Sequence, residues 1–388
     1  MATSMNRRTW IKDTALLAGA FTLAPSILNT LSASPIRAVR ESLNPFSEKA
    51  MSLADPVLKA RLFANENPFG PSDKAKQAAI DALANSYQYP FMMERVLEEK
   101  IIEHEGIKED QLIMSPGSSA LLQAAAIHFT RDGGNIISGD PSYDDLMTKA
   151  AALESKTVKV PLTSEYKLDL AAMEKMINKK TKLVYICNPN NPTGTVLDTA
   201  TLKSFCERVS KKVPVFVDEA YIDYLGDPKD FSMIDLVKQG HNVIVARTFS
   251  KLYGFAGMRL GYIIAQPDMI KNLELYSQTQ NSISAMTIAA GIAAYRDTEF
   301  LQTAFKKTMD SKEFLFSTLK KEGYEYIPSS TNFAMFKINM EPQKFVEEMT
   351  KRGVGVRPWK FNNTNWCRIS IGRMDEMEAF ADAFKQIS

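Results

Sequence analysis

The chain has 388 residues, 45% of them apolar and 24% charged, enough to bury at least one large core and to form two domains. Lys and Arg number 47 against 45 Asp and Glu, a net charge of +2, which excludes a whole-chain basic field for nucleic acid and an acidic solvating tail. Three cysteines (Cys187, Cys206, Cys367) and three histidines (His104, His128, His241) form neither a disulfide framework nor a metal-ligand spacing, so no metal is expected.

The chain opens with Asn6-Arg7-Arg8-Thr9-Trp10-Ile11-Lys12, then an apolar stretch from Ala15 to Leu23, Pro25, and the small residues Ser32-Ala33-Ser34. A basic start, a short apolar segment and a small-residue exit describe an export signal. The paired arginines resemble a twin-arginine signal, which implies a periplasmic protein. The competing reading is a short amphipathic helix with a chance Arg-Arg pair. No other apolar run approaches the roughly 18 residues of a membrane helix. Residues 1–34 are therefore expected to be the signal. Residues 35–59, punctuated by Pro35, Pro45 and Pro56, are expected to be a linker or N-terminal arm.

Helical spacing follows over Lys74–Leu83 and Met93–His104, with Ser72 and Asp73 placed to cap the first. Strand-like apolar runs then occur at Asn135–Ser138, Leu183–Cys187, Val213–Val217, Val243–Ala246 and Leu260–Ala265. Helix-patterned stretches such as Thr199–Lys212 separate them. This alternation predicts an α/β fold built on a large, mainly parallel sheet, with ligands at the carboxyl ends of its strands. From Ala285 to Lys321 the pattern is helical. Short strands follow at Thr331–Ile338, Gly353–Arg357 and Trp366–Ile371, and then a helix with Met377, Phe380, Phe384 and Ile387 on one face. The expected division is a large domain over 60–285 and a smaller C-terminal α+β domain over 286–388.

Chemistry-bearing segments stand directly after three of the expected strands. Asn188-Pro189-Asn190-Asn191-Pro192-Thr193-Gly194 follows the second, Asp218-Glu219-Ala220-Tyr221 the third, and Thr248-Phe249-Ser250-Lys251 the fourth, with Arg259 beyond it. Arg368 lies inside a later strand. Singly, each has an ordinary explanation as a turn, a helix cap or a solvated loop. Their order is the specific signal. Together with Ala64-Asn65-Glu66-Asn67-Pro68-Phe69-Gly70-Pro71-Ser72, Tyr89-Pro90, Pro141-Ser142-Tyr143 and Arg368 to Gly372, they resemble the class I/II, fold-type-I pyridoxal-phosphate-dependent aminotransferases. Within these the chain is most similar to the histidinol-phosphate group, over roughly residues 60–388.

The resemblance implies pyridoxal 5'-phosphate as cofactor, with Lys251 carrying it as a Schiff base and moving the substrate proton. It implies that Asp218 pairs with the pyridine nitrogen, that Asn191 and Tyr221 hydrogen-bond the phenolic oxygen, and that Tyr143 stacks on the ring. Ser250, Arg259, Thr248 and the turn Gly117-Ser118-Ser119 at the start of the helix Ala120–Phe129 are implied to hold the phosphate. Tyr89 is implied to reach the phosphate of a neighbouring subunit, hence a homodimer with shared sites. Arg368 is implied to clamp the substrate α-carboxylate, assisted by Asn191, and Arg357 to face a distal phosphate, although a surface arginine at a strand end is an equal reading of Arg357.

One segment departs from the histidinol-phosphate pattern: acidic residues commonly follow the phosphate-loop glycine there, whereas Ser118-Ser119-Ala120-Leu121 follow Gly117 here. The expected activity is therefore amino transfer from an amino acid, or an amine like histidinol phosphate, to a 2-oxo acid, with the donor open. Lyases, decarboxylases and racemases share the fold, and a non-catalytic binding protein is the remaining alternative.

Overall fold

The computed structural model describes residues 58–278 and 281–387. The expected export signal and nearly all of the expected linker lie outside these residues.

Strand β1 (Ala60–Arg61) leads to helices α1 (Asp73–Ala82) and α2 (Phe91–Glu105). The Ser72 hydroxyl accepts the Ala75 N–H at 3.2 Å, the cap its position predicted. The next stretch runs β2 (Leu112–Ser115), α3 (Ser118–Thr130), β3 (Asn135–Asp140), α4 (Asp145–Ala151), β4 (Lys156–Pro161), α5 (Leu170–Lys175) and β5 (Thr181–Cys187). It continues through α6 (Thr199–Val209), β6 (Val215–Asp218), α7 (Ile234–Lys238), β7 (Val243–Thr248), β8 (Gly261–Ile264) and α8 (Pro267–Glu274). After α9 (Ala285–Ala294) and the long α10 (Thr298–Lys321) come β9 (Tyr326–Ile327), β10 (Phe333–Lys337), α11 (Pro342–Lys351), β11 (Val354–Gly355), β12 (Arg357–Phe361), β13 (Thr364–Ser370) and α12 (Met374–Phe384).

Seven strands form the large sheet in the order β2-β8-β7-β6-β5-β3-β4. Strands β3 to β7 pair in parallel, as the alternation predicted. Both faces are covered, so successive residues enter opposite cores. Val184 and Ile186 pack in one, Leu183, Tyr185 and Cys187 in the other, and β6 and β7 divide in the same way. Strand β8 runs antiparallel to both β7 and β2. The link from Thr248 to Gly261 contains no helix, and a parallel return needs a crossover, so the chain folds straight back.

A second, four-stranded sheet has the order β12-β13-β10-β9, and Met377, Phe380 and Phe384 of α12 pack in its core beside Phe336, Cys367 and Ile369. The sequence run Gly353–Arg357 divides between two sheets: β11 pairs with β1, and β12 with β13. Leu62 therefore belongs to the core of the C-terminal region, while Ile288 and Ala290 of α9 pack in a core of the large sheet.

Candidate active site

The carboxyl ends of β5, β6 and β7 converge on a cleft of 280 Å³. Cys187, Asn191, Asp218, Tyr221, Thr248, Ser250 and Lys251 line it from those ends. Ser118 and Ser119 enter from α3, Tyr143 from the loop after β3, and Arg357 and Arg368 from the small sheet. Ligands bind at this edge in parallel sheets because loops leave it from successive strands.

One end of the cleft is built for an anion. Gly117 precedes α3 with φ +78° and no side-chain cap, leaving the first N–H groups of the helix unclaimed by a capping side chain. A Cβ on Gly117 would stand 2.2 Å from Arg259 Nη2, so the glycine lets the guanidinium lie against the turn. Arg259 donates through Nη1 to Ser250 Oγ at 3.2 Å and to Ala256 O at 3.1 Å, and no carboxylate pairs with it among the described residues. Thr248 Oγ1 lies 3.0 Å from Ser250 Oγ and accepts the Ser250 N–H at 3.1 Å, orienting that hydroxyl.

A carboxylate occupies a second wall. Asp218 is 2% exposed; its Oδ2 accepts from Tyr185 Oη at 2.8 Å and its Oδ1 from the Ala220 N–H at 3.1 Å. Burial pushes its pKa above the usual carboxylate range, opposed by those two hydrogen bonds and by the charge on Lys251. It has no ion-pair partner among the described residues, so a ligand cation would complete it. Its neighbour Glu219 is satisfied by contrast, taking Arg247 Nε at 2.7 Å and Ser232 Oγ at 2.8 Å on Oε2, and the Met233 N–H at 2.8 Å on Oε1.

Between these walls, Lys251 Nζ donates to Asn65 O at 3.3 Å and lies 5.1 Å from the centroid of the Tyr221 ring. Tyr221 is held edge-on by Phe333 at 5.0 Å, and its hydroxyl accepts from Asn65 Nδ2 at 3.0 Å. On the small-sheet side, Arg368 donates from Nη1 to Asn191 Oδ1 at 2.8 Å and from Nη2 to Phe63 O at 2.9 Å, leaving its buried Nε without a partner among the described residues. Arg357 is opposite it in the β12–β13 register. Burial first, and Arg357 second, push the Arg368 guanidinium down to about 9. These two facing arginines have no carboxylate paired to either among the described residues, an arrangement whose chemistry suits an anion.

Every residue read from the sequence as part of the site is thus drawn to one cleft, with Gly117 just behind its rim, except Tyr89. That side chain is 72% exposed, rests against Phe91 at 5.7 Å and does not line the cleft of its own chain. Three further residues support the site: Asn65 bonds Tyr221 and Lys251, Tyr185 bonds Asp218, and Ser370 holds Asn65. Asn65 stands in a stretch that carries the family resemblance as a whole, and Tyr185 reads as one more strand residue.

The family model described as "Aminotransferase class I and II" matches residues 59–384. The chain belongs to the class I and II aminotransferases. This aminotransferase is 33% identical over 329 residues to the histidinol-phosphate aminotransferase of Moorella thermoacetica, covering 84% of this chain and 85% of that one. The histidinol-phosphate aminotransferase of Sinorhizobium meliloti, solved in complex with pyridoxal-5'-phosphate, shares its fold with a TM-score of 0.78 at 24% identity, covering 85% of this chain and 92% of that one. The L-threonine-O-3-phosphate decarboxylase of Porphyromonas gingivalis shares it with a TM-score of 0.72 at 18% identity, covering 84% and 98%. The aminotransferase is thus a histidinol-phosphate-aminotransferase-like enzyme of fold type I, and that architecture alone does not choose the reaction.

Proposed function

We propose that this enzyme uses pyridoxal 5'-phosphate held on Lys251 to move an amino group from an amino acid, or an amine like histidinol phosphate, to a 2-oxo acid. One observation carries the reading: a lysine amine, a buried carboxylate unpaired among the described residues, and a cationic cradle line a single cleft that an arginine pair enters from the other sheet. The residues fit the cofactor. Among the described residues Asp218 has no positive partner, which a protonated pyridine nitrogen would provide. The Gly117 turn, Ser250 and Arg259 offer helix N–H groups, a hydroxyl and a charge to a phosphate. When bound, the cofactor supplies an electron sink for the bond broken at the substrate α-carbon.

The remaining work belongs to the chain. Lys251 Nζ would take the proton from the substrate α-carbon and deliver it to the cofactor's C4′ carbon, Asp218 would keep a charge beside the ring nitrogen, and Tyr143 would flank the ring. Tyr221 and Asn191 would hydrogen-bond the phenolic oxygen. Arg368 orients the substrate carboxylate and Arg357 meets a distal anion. Purified enzyme should show a visible absorbance band that bleaches with an amino-acid donor and returns with a 2-oxo acid. Formation of CO₂, ammonia with pyruvate, or an inverted amino acid instead would assign the decarboxylase, lyase or racemase reading.

The same reading includes a homodimer. Around the exposed Tyr89, the side chains of Leu83, Tyr87, Phe91 and Met92 are between 55% and 80% exposed, an apolar surface of the kind that marks an interface. Sedimentation should give twice the chain mass, and a monomer at micromolar concentration would sink the shared-site proposal.

A further inference from the structure

Asn65 is buried, at 1% exposure, and adopts φ +53°, a left-handed conformation that asparagine tolerates better than most residues. Strand β1 pairs with β11 and ends at Arg61, so the chain turns at Asn65 directly into the cleft. The turn presents two groups there at once, the side-chain amide and the backbone carbonyl.

Hydrogen-bond counting fixes the amide. Ser370 Oγ accepts the Asn65 N–H at 2.7 Å and, having one proton, gives it to Asn65 Oδ1 at 2.9 Å. The oxygen side is thereby assigned, and Nδ2 is the atom that donates to Tyr221 Oη at 3.0 Å. Since the tyrosine oxygen accepts from Asn65, its own proton is not directed there and remains available to the cleft. The carbonyl of the same residue accepts Lys251 Nζ at 3.3 Å and is steadied by Asn332 Nδ2 at 3.2 Å.

We propose that Asn65, locked by Ser370, is a positioning residue that acts on two groups: it aims the Tyr221 hydroxyl proton into the cleft and gives the free Lys251 amine its resting acceptor. The proposal rests on the cofactor reading above. With Tyr221 so aimed, its proton stabilises a phenolic oxygen in the cleft. Losing that aim makes the oxygen more basic and favours retention of the neighbouring proton on the lysine–cofactor linkage.

The test is the pH titration of the visible absorbance of cofactor-loaded protein. Asn65→Gly keeps the positive φ and the carbonyl acceptor while deleting the amide. Its midpoint should rise by about 0.5–1 pH unit, the scale of one hydrogen bond. Ser370→Ala should move it the same way by less and serves where the glycine variant does not fold. Added to Tyr221→Phe, either change should produce no further shift, because the hydroxyl it aims is gone. Midpoints equal to wild type, or shifts that add in full to that of Tyr221→Phe, overturn the inference while leaving the cofactor reading standing. A wild-type protein that takes up no pyridoxal phosphate overturns both.

Discussion

Lys251→Ala is expected to abolish covalent attachment of the cofactor and to lower turnover by about 10³–10⁴-fold or more, the scale of a deleted proton-transfer group that is also the nucleophile. The loss should fall on kcat. Asp218, Arg259, Ser250 and the Gly117 turn remain in the variant, so pyridoxal phosphate should still bind, without attachment. Single-turnover kinetics with preloaded protein separate these terms: slow chemistry with retained binding is the expected result. Unchanged chemistry would move the proton-carrying role to another group.

Arg368→Ala is expected to lower kcat/KM for α-amino acids by about 10²–10³-fold, since a charge-assisted hydrogen bond is worth about 1.5–3 kcal/mol and a guanidinium can make two to a carboxylate. The side chain is 3% exposed, sits between Asn191 and the Phe63 carbonyl and has a buried Nε without a partner among the described residues, so it is preorganised and unsatisfied. Most of the effect should appear in KM. A donor amine without an α-carboxylate should lose far less, because it never made that pair. Equal losses for both donors would make Arg368 a structural strut, its truncation merely releasing Asn191.

The parts of the site that were legible in the sequence share one cause. In a parallel sheet every strand delivers its carboxyl end to the same edge, so Asn191, Asp218 and Lys251, each read after a strand, had to meet. Asn65 was not legible as a site residue, because its partner Ser370 is 305 positions away, at the end of β13, which reaches the segment after β1 through the Ser370 N–H on Leu62 O at 2.8 Å. Tyr185 was hidden by burial. In a strand covered on both faces every position reads as apolar, and its hydroxyl acquires meaning only because Asp218 lies on the neighbouring strand, in register with Cys187.

The fold shows the same division. Strand β4 escaped the sequence reading because Lys156 and Lys159 interrupt it, as suits an edge strand. The antiparallel course of β8 goes with the helix-free link before it, which an apolar run cannot reveal.

Borohydride reduction followed by peptide mass analysis reads out whether Lys251 carries the cofactor. After incubation with pyridoxal phosphate and reduction, one cofactor mass should be fixed to the peptide containing Lys251, and none to the Lys251→Ala protein. An adduct on another lysine in both proteins, or no stoichiometric adduct in wild type, would contradict it.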